Sequence, residues 1–232
     1  MGCLAVIDAG PHPPGRAGAG CLRRSCFASA PAHARARDAV HAAPDAEVLC
    51  TQLRQLGLAP GVVHSEAMNR EPYLDRPDLG RRIASGSDIS RSDHAFGLVI
   101  CDGLSALAVE RHAVPLVRSF LALSPRRWAG VPSCVCLQSR VALGDDAGAR
   151  LGCQLVVVLI GERPGLSSPG SLGVYLTLAP RVGRTDAERN CVSNIRPEGL
   201  GCEAAARRID WIAAAGLAGG KRSRRRLAEM PT

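Results

Sequence analysis

Leu98-Val99-Ile100-Cys101-Asp102-Gly103-Leu104-Ser105 is the stretch on which the fold turns. Its first four residues form a short continuous apolar run, which suits a strand covered on both faces. Asp102-Gly103 then turns the chain. From Ser105 to residue 123 the apolar residues fall at helical spacing, through Leu107, Val114, Val117 and Phe120. Either Asp102 or Ser105 is placed to cap that helix by accepting from its first free amides. Strand, tight turn and amphipathic helix in this order open a βαβ unit.

Downstream the alternation repeats. Residues 134–137 read as a second strand and residues 145–151 as a short helix closed by Gly152. Residues 154–160 are the most hydrophobic strand of the chain, and residues 174–179 are a fourth. Residues 203–215 form a last amphipathic helix ending at Gly216. The pattern predicts an α/β fold, Rossmann-like, with a mostly parallel sheet, flanking helices and a helical N-terminal segment before it. Ligands of such sheets bind outside the C-terminal ends of the strands. That rule points to three loops, at residues 102–105, 139–145 and 161–171.

Upstream, residues 1–31 are rich in Pro, Gly and Arg, lack an apolar period and read as irregular. Residues 32–56 read as two helices parted by Pro44. Ala36, Val40 and Ala43 mark the first stripe; Val48, Leu49, Leu53 and Leu56 mark the second, which Gly57 ends. A short strand is expected at residues 61–64, a brief helix at 79–83 and a polar loop at 85–92. The expected organisation is therefore an irregular segment 1–31, a helical region 32–92, a Rossmann-like domain 93–219 and a basic tail 220–232.

Hydrophobic residues make up 46% of the 232 and charged residues 22%, the balance of a globular protein. Only 3% are aromatic, so the core must be aliphatic. The net charge of +8 is uneven: residues 1–40 carry +3, residues 221–232 carry +4, and the centre only +1. A nucleic-acid interface on the folded domain is not supported by that distribution. The longest apolar run is far shorter than a membrane span, and a soluble intracellular protein is expected. Cys101, Cys134, Cys136 and Cys153 sit inside apolar runs and read as small buried hydrophobes.

Two segments carry candidate chemistry. Gly161-Glu162-Arg163-Pro164-Gly165-Leu166-Ser167-Ser168 follows the buried strand directly and offers a charged pair where the sheet ends. It is neither a P-loop nor GxGxxG, and Asp102-Gly103-Leu104-Ser105 supplies no glycine-rich phosphate loop for a stand-alone nucleotide-cofactor enzyme. Residues 186–196 are unusually polar for a linker between a strand and the last helix. They read as a solvated loop or as a ligand lid. Cys191 within them would need a base to act as a nucleophile, with His94 and His112 the candidates.

At this point the chain becomes familiar. Ala34-Arg35-Ala36-Arg37-Asp38-Ala39-Val40-His41, Pro77-Asp78-Leu79-Gly80-Arg81-Arg82, residues 102–108 with Glu110-Arg111-His112, Arg140-Val141-Ala142-Leu143-Gly144-Asp145, the loop at residues 161–168, Ser171-Leu172-Gly173-Val174-Tyr175 and residues 189–197 resemble the ethanolamine ammonia-lyase small subunit. The resemblance covers roughly residues 32–215 and lapses at both ends. It implies an adenosylcobalamin-dependent lyase that converts ethanolamine to acetaldehyde and ammonia. It further implies a catalytic large subunit, an assembly of six large and six small subunits, and a cytoplasmic location, in some members within a bacterial microcompartment. By motif, the cofactor contacts implied for this chain are Val141, Glu162 and Cys191, with no catalytic or metal-binding residue of its own.

Overall fold

A computed structural model of the protein describes residues 40–41, 44–165 and 170–219. The readings for residues 1–31, for most of the first helix, for Ser167 and Ser168, and for the basic tail lie outside them.

Six strands form one sheet in the order β1 (Gly61–His64), β3 (Ser133–Leu137), β2 (Phe96–Cys101), β4 (Leu155–Gly161), β5 (Leu172–Leu178), β6 (Arg189–Ile195). The three pairs among β1, β3, β2 and β4 are parallel; β4–β5 and β5–β6 are antiparallel. Helices cover both faces: α1 (Ala46–Gln55), α2 (Arg70–Asp75), α3 (Ala106–Leu123), α4 (Pro125–Trp128), α5 (Val141–Leu151) and α6 (Cys202–Gly219). The expected α/β sheet is present.

The strand at the heart of the reading is buried throughout, as is β4 beside it. Alternate side chains of the sheet enter two cores, because successive strand residues point to opposite faces. Leu98, Ile100, Val157, Leu159 and Val174 pack with α1, α3 and α6. Val99, Cys101, Cys134, Cys136, Val156 and Val158 pack with α5. Each fully buried aliphatic side chain contributes about 1.5–3 kcal/mol. Stacked Phe120 and Trp128 rings, 4.7 Å apart, fill the first core. The four cysteines read as core residues are buried, and burial pushes the Cys153 thiol up to about 12.

Ser105 is the residue that caps α3, accepting from the Ala108 amide at 3.3 Å. Asp102 serves a different purpose, described below. α5 begins at Val141, four residues before the expected start, so Val141 lies on a helix and not in a loop. Gly144, Asp145 and Asp146 weaken the local helical signal. Packing supplies what propensity lacks: a Cβ on Gly144 would stand 2.2 Å from Val158 Cγ2, so glycine lets α5 lie close on β4.

Other boundaries also differ. The polar segment after β5 is neither a loop nor a lid over its full length, since Arg189–Ile195 is the edge strand β6. It pairs on one side only, so its polar outward residues hide the strand pattern. α2 was not foreseen, and residues 79–81 form a single 3-10 turn where a helix to residue 83 was expected. Val48 is 52% exposed and stands off the buried stripe of Leu49, Cys50 and Leu53. α6 continues through Gly216 to Gly219.

Candidate cofactor-binding site

The parallel strands end around one buried carboxylate. Asp102 Oδ1 accepts from the Gly103 amide at 2.9 Å, the Ser139 amide at 2.8 Å and the Ser139 hydroxyl at 3.0 Å. Its Oδ2 accepts from the Gln138 amide at 2.9 Å and pairs with Arg70 at 3.2 Å. The side chain is fully buried. Burial pushes the carboxyl above its ordinary value, opposed by the Ser139 amide, the Arg70 charge and the Gln138 amide. Asp102 thereby fastens the loop after β2 to the loop after β3.

Arg70 reaches this hub from α2, with Tyr73 one turn along. Two guanidinium groups lie over the Tyr73 ring, Arg70 at 4.6 Å and Arg140 at 4.3 Å, and its hydroxyl donates to the Ser139 carbonyl at 3.0 Å. Such stacking orders both cations beside the strand ends.

A cleft of about 440 Å³ opens above these ends. Its lining includes Tyr73, Gly103, Arg140, Val141, Glu162 and Tyr175. Val141 is the first residue of α5 and packs its apolar side chain against the second core. Glu162 follows β4. Its Oε2 accepts from the Ser171 hydroxyl at 2.6 Å and from the Asn194 amide at 3.2 Å, which leaves Oε1 able to accept. Gly173 keeps room beside it: a Cβ there would approach Glu162 Oε1 to 3.0 Å. Cys191 stands opposite Tyr175 in the β5–β6 register. Tyr175 lines the cleft, and Cys191 is exposed on the edge beside it. Burial pushes the Tyr175 hydroxyl up to about 12, and the adjacent thiol adds to the effect. Desolvation at the sulfur raises the Cys191 thiol as well, against a lowering hydrogen bond from Tyr175.

The fold thus brings Val141 and Glu162 to one cleft, and places Cys191 on the edge strand opposite Tyr175, which also lines it. It does not pair Cys191 with histidine. His94 Nδ1 accepts from the Phe96 amide at the start of β2, and His112 Nε2 lies 3.2 Å from the Gly170 carbonyl. Tyr73, Arg140 and Tyr175 complete the site. Tyr73 escaped sequence reasoning because it belongs to a six-residue helix without a periodic signal.

The loop after β2 is not built to cradle phosphate. Its Gly103 amide is held by Asp102 and its Leu104 amide by the Gly161 carbonyl at 3.0 Å. Gly103 has φ +59°, and a Cβ there would stand 2.3 Å from Gly161 O. The glycine serves a close crossing of two strand ends, and these amides are already spent.

A family model described as ethanolamine ammonia-lyase light chain matches residues 13–222. The chain belongs to that family. It is similar to the ethanolamine ammonia-lyase small subunit of Ralstonia nicotianae, at 50% identity over 207 residues, covering 85% of this chain and 77% of the relative. The small subunit of Bradyrhizobium diazoefficiens is 51% identical over 211 residues, covering 88% and 81%. That of Azotobacter vinelandii is 48% identical over 207 residues, covering 85% and 77%. The match extends beyond both ends of residues 32–215, the segment that carries the motifs. Among the described residues, no helix is long and apolar enough to cross a membrane.

Proposed function

We propose that this chain is the small subunit of an adenosylcobalamin-dependent ethanolamine ammonia-lyase and forms one wall of the cofactor site against a catalytic large subunit. The observation that carries the reading is that Val141, Glu162 and Tyr175 line one cleft at the strand ends, with Cys191 opposite Tyr175 in the β5–β6 register.

The residues present fit such a group on one face. Pockets that enclose a drug-sized ligand span about 300–1,000 Å³, and this cleft lies low in that range. A macrocycle larger than such a ligand would be covered here on one side only, as expected at an interface between subunits. Glu162 Oε1 would accept hydrogen bonds from the amide side chains around a corrin, held in place by Ser171 and Asn194 through the other oxygen. Val141 and the face of Tyr175 would exclude water from its apolar surface. Cys191 would make contact from the sheet edge. When bound, adenosylcobalamin supplies homolysis of its cobalt–carbon bond; the protein's part is to bind and orient. This chain contributes no group to substrate chemistry, which resides on the large subunit, and the complete enzyme holds six copies of each. It works in the cytoplasm, within a microcompartment where the host builds one.

The test is co-expression with an ethanolamine ammonia-lyase large subunit, purification of the complex, and assay of acetaldehyde release from ethanolamine. A stoichiometric complex active only with adenosylcobalamin is expected. A well-folded chain that forms no complex, or a complex whose activity ignores the cofactor, overturns the proposal.

A further inference from the structure

β6 poses a physical problem. Arg189-Asn190-Cys191-Val192-Ser193-Asn194-Ile195 is an edge strand, and among its last five residues only Val192 and Ile195 are buried. A polar edge strand has a weakly specified register, and a slip of one residue turns every side chain to the other face. The β5–β6 pairing already carries an irregularity between Leu172 and Val174. Yet Cys191 must stand opposite Tyr175 if it is to reach the cleft.

One buried ion pair answers this. Arg189 Nη2 meets Asp145 Oδ2 of α5, with the side chains only 3% and 1% exposed. The same guanidinium donates to the Arg184 carbonyl at 2.9 Å and to Asp186 at 2.5 Å. Arg189 is opposite Thr177 in the register, and the Thr177 hydroxyl lies beside the Asp145 carboxylate. Asp145, Thr177 and Arg189 therefore form one rung across α5, β5 and β6.

The next rung is the candidate site. Val141 precedes Asp145 by four residues, so the two share a helix face. Tyr175 precedes Thr177 by two and Cys191 follows Arg189 by two, so each shares its strand face. Val141, Tyr175 and Cys191 are thus one structural repeat from the buried pair on all three elements.

We infer that Asp145 and Arg189 are positioning residues which lock the register of β6 and so hold Cys191 beside Tyr175, next to the cleft that Val141 lines, for cofactor binding. The part concerning the cofactor rests on the function proposed above. A slip of β6 by one residue would turn the Arg189 charge away from Asp145 and leave a buried carboxylate unpaired. An apolar pair of similar volume would fill the space as well, since replacing a buried ion pair by packed hydrophobic groups is often neutral in stability. It would not impose the same penalty on the slipped register.

The experiment compares wild type with the double variant Asp145→Leu/Arg189→Met and with Arg189→Lys, each in complex with the large subunit. Two readouts are taken: amide hydrogen exchange across β6, and hydroxocobalamin binding followed by visible absorption. The double variant should assemble normally and lose at least about 10-fold of protection in β6 alone, with β2 and β4 unchanged. Its cobalamin Kd should rise by about 10- to 100-fold, the scale on which small misplacements act. Arg189→Lys should lie between, since it keeps the charge and loses the fork. Unchanged β6 protection in the double variant overturns the register lock. Lost protection with unchanged cobalamin affinity overturns the positioning role. A wild-type complex that binds no cobalamin removes the proposed function and the cofactor half of this inference with it, while exchange alone then decides the register lock.

Discussion

Replacing Asp102 with alanine should be among the most damaging single changes in the domain. The substitution removes the acceptor of two buried amides, those of Gly103 and Ser139. Each such amide left unpaired costs about 1–3 kcal/mol. Arg70 simultaneously loses its carboxylate, and breaking one side of a buried pair costs about 3–5 kcal/mol. These terms overlap, because Arg70 keeps the Val40 carbonyl and the Ser139 hydroxyl keeps that of Cys136. A loss of about 4 kcal/mol or more follows, a large share of the 5–15 kcal/mol that usually holds a domain together. Asp102→Asn should cost about half as much. It can still accept at Oδ1 from Gly103 and Ser139, but places an amide donor against Gln138 and Arg70. Urea unfolding measures both, read as a shifted midpoint at constant slope. A cost below about 1 kcal/mol for alanine, or equal costs for alanine and asparagine, would refute the assignment of Asp102 as the clamp between the two loops.

Alkaline titration offers a second check. The chain has two tyrosines, Tyr73 and Tyr175, and burial raises both above the ordinary value. A raised acid favours the folded state below the unfolded pKa of about 10, and that stability is lost as pH rises through the folded value. Tyrosinate absorbance should therefore stay near zero to beyond pH 10 in the native chain, and Tyr175 should ionise only near pH 12; native ionisation near pH 10 would contradict the burial. Glu188 behaves in the opposite sense. The Thr185 amide and the Arg184 charge hold its carboxyl at about 2, so the capping box at 185–188 should persist below pH 4.5 and fail only as pH falls through about 2. Carbon-detected NMR titration of Glu188 gives the value directly, and Glu188→Gln should remove the acid dependence of the Thr185 amide. Gly161→Ala would drive a Cβ to 2.1 Å from the Ser105 carbonyl oxygen. Backbone must move there, so a loss of about 1–3 kcal/mol is expected by thermal unfolding, and a neutral result would refute the close crossing of the two strand ends. Glu162→Ala should weaken cobalamin binding by the assembled enzyme about 10-fold or more through one lost charged acceptor, measured by absorption titration; unchanged affinity would take Glu162 out of the site.

Much of this could be read from the chain before any coordinates. Residues 98–101 and, past Gln154, residues 155–160 announce buried strands because neither face has a polar residue to offer water. Residues 105–123 announce a helix through apolar spacing alone. The strand-end rule then named the loops that carry Glu162 and, within a few residues, Val141. Those signals are local, and the sequence holds them in full. The tertiary structure decided the rest. β6 has no pattern of its own, because an edge strand gains its order from pairing with β5. α5 begins at Val141 because close packing of Gly144 on Val158 outweighs weak propensity. The two buried carboxylates Asp102 and Asp145 look like ordinary loop and helix residues in the sequence. Their partners Ser139 and Arg189 lie 37 and 44 residues away, and only folding brings the charges out of water and into contact.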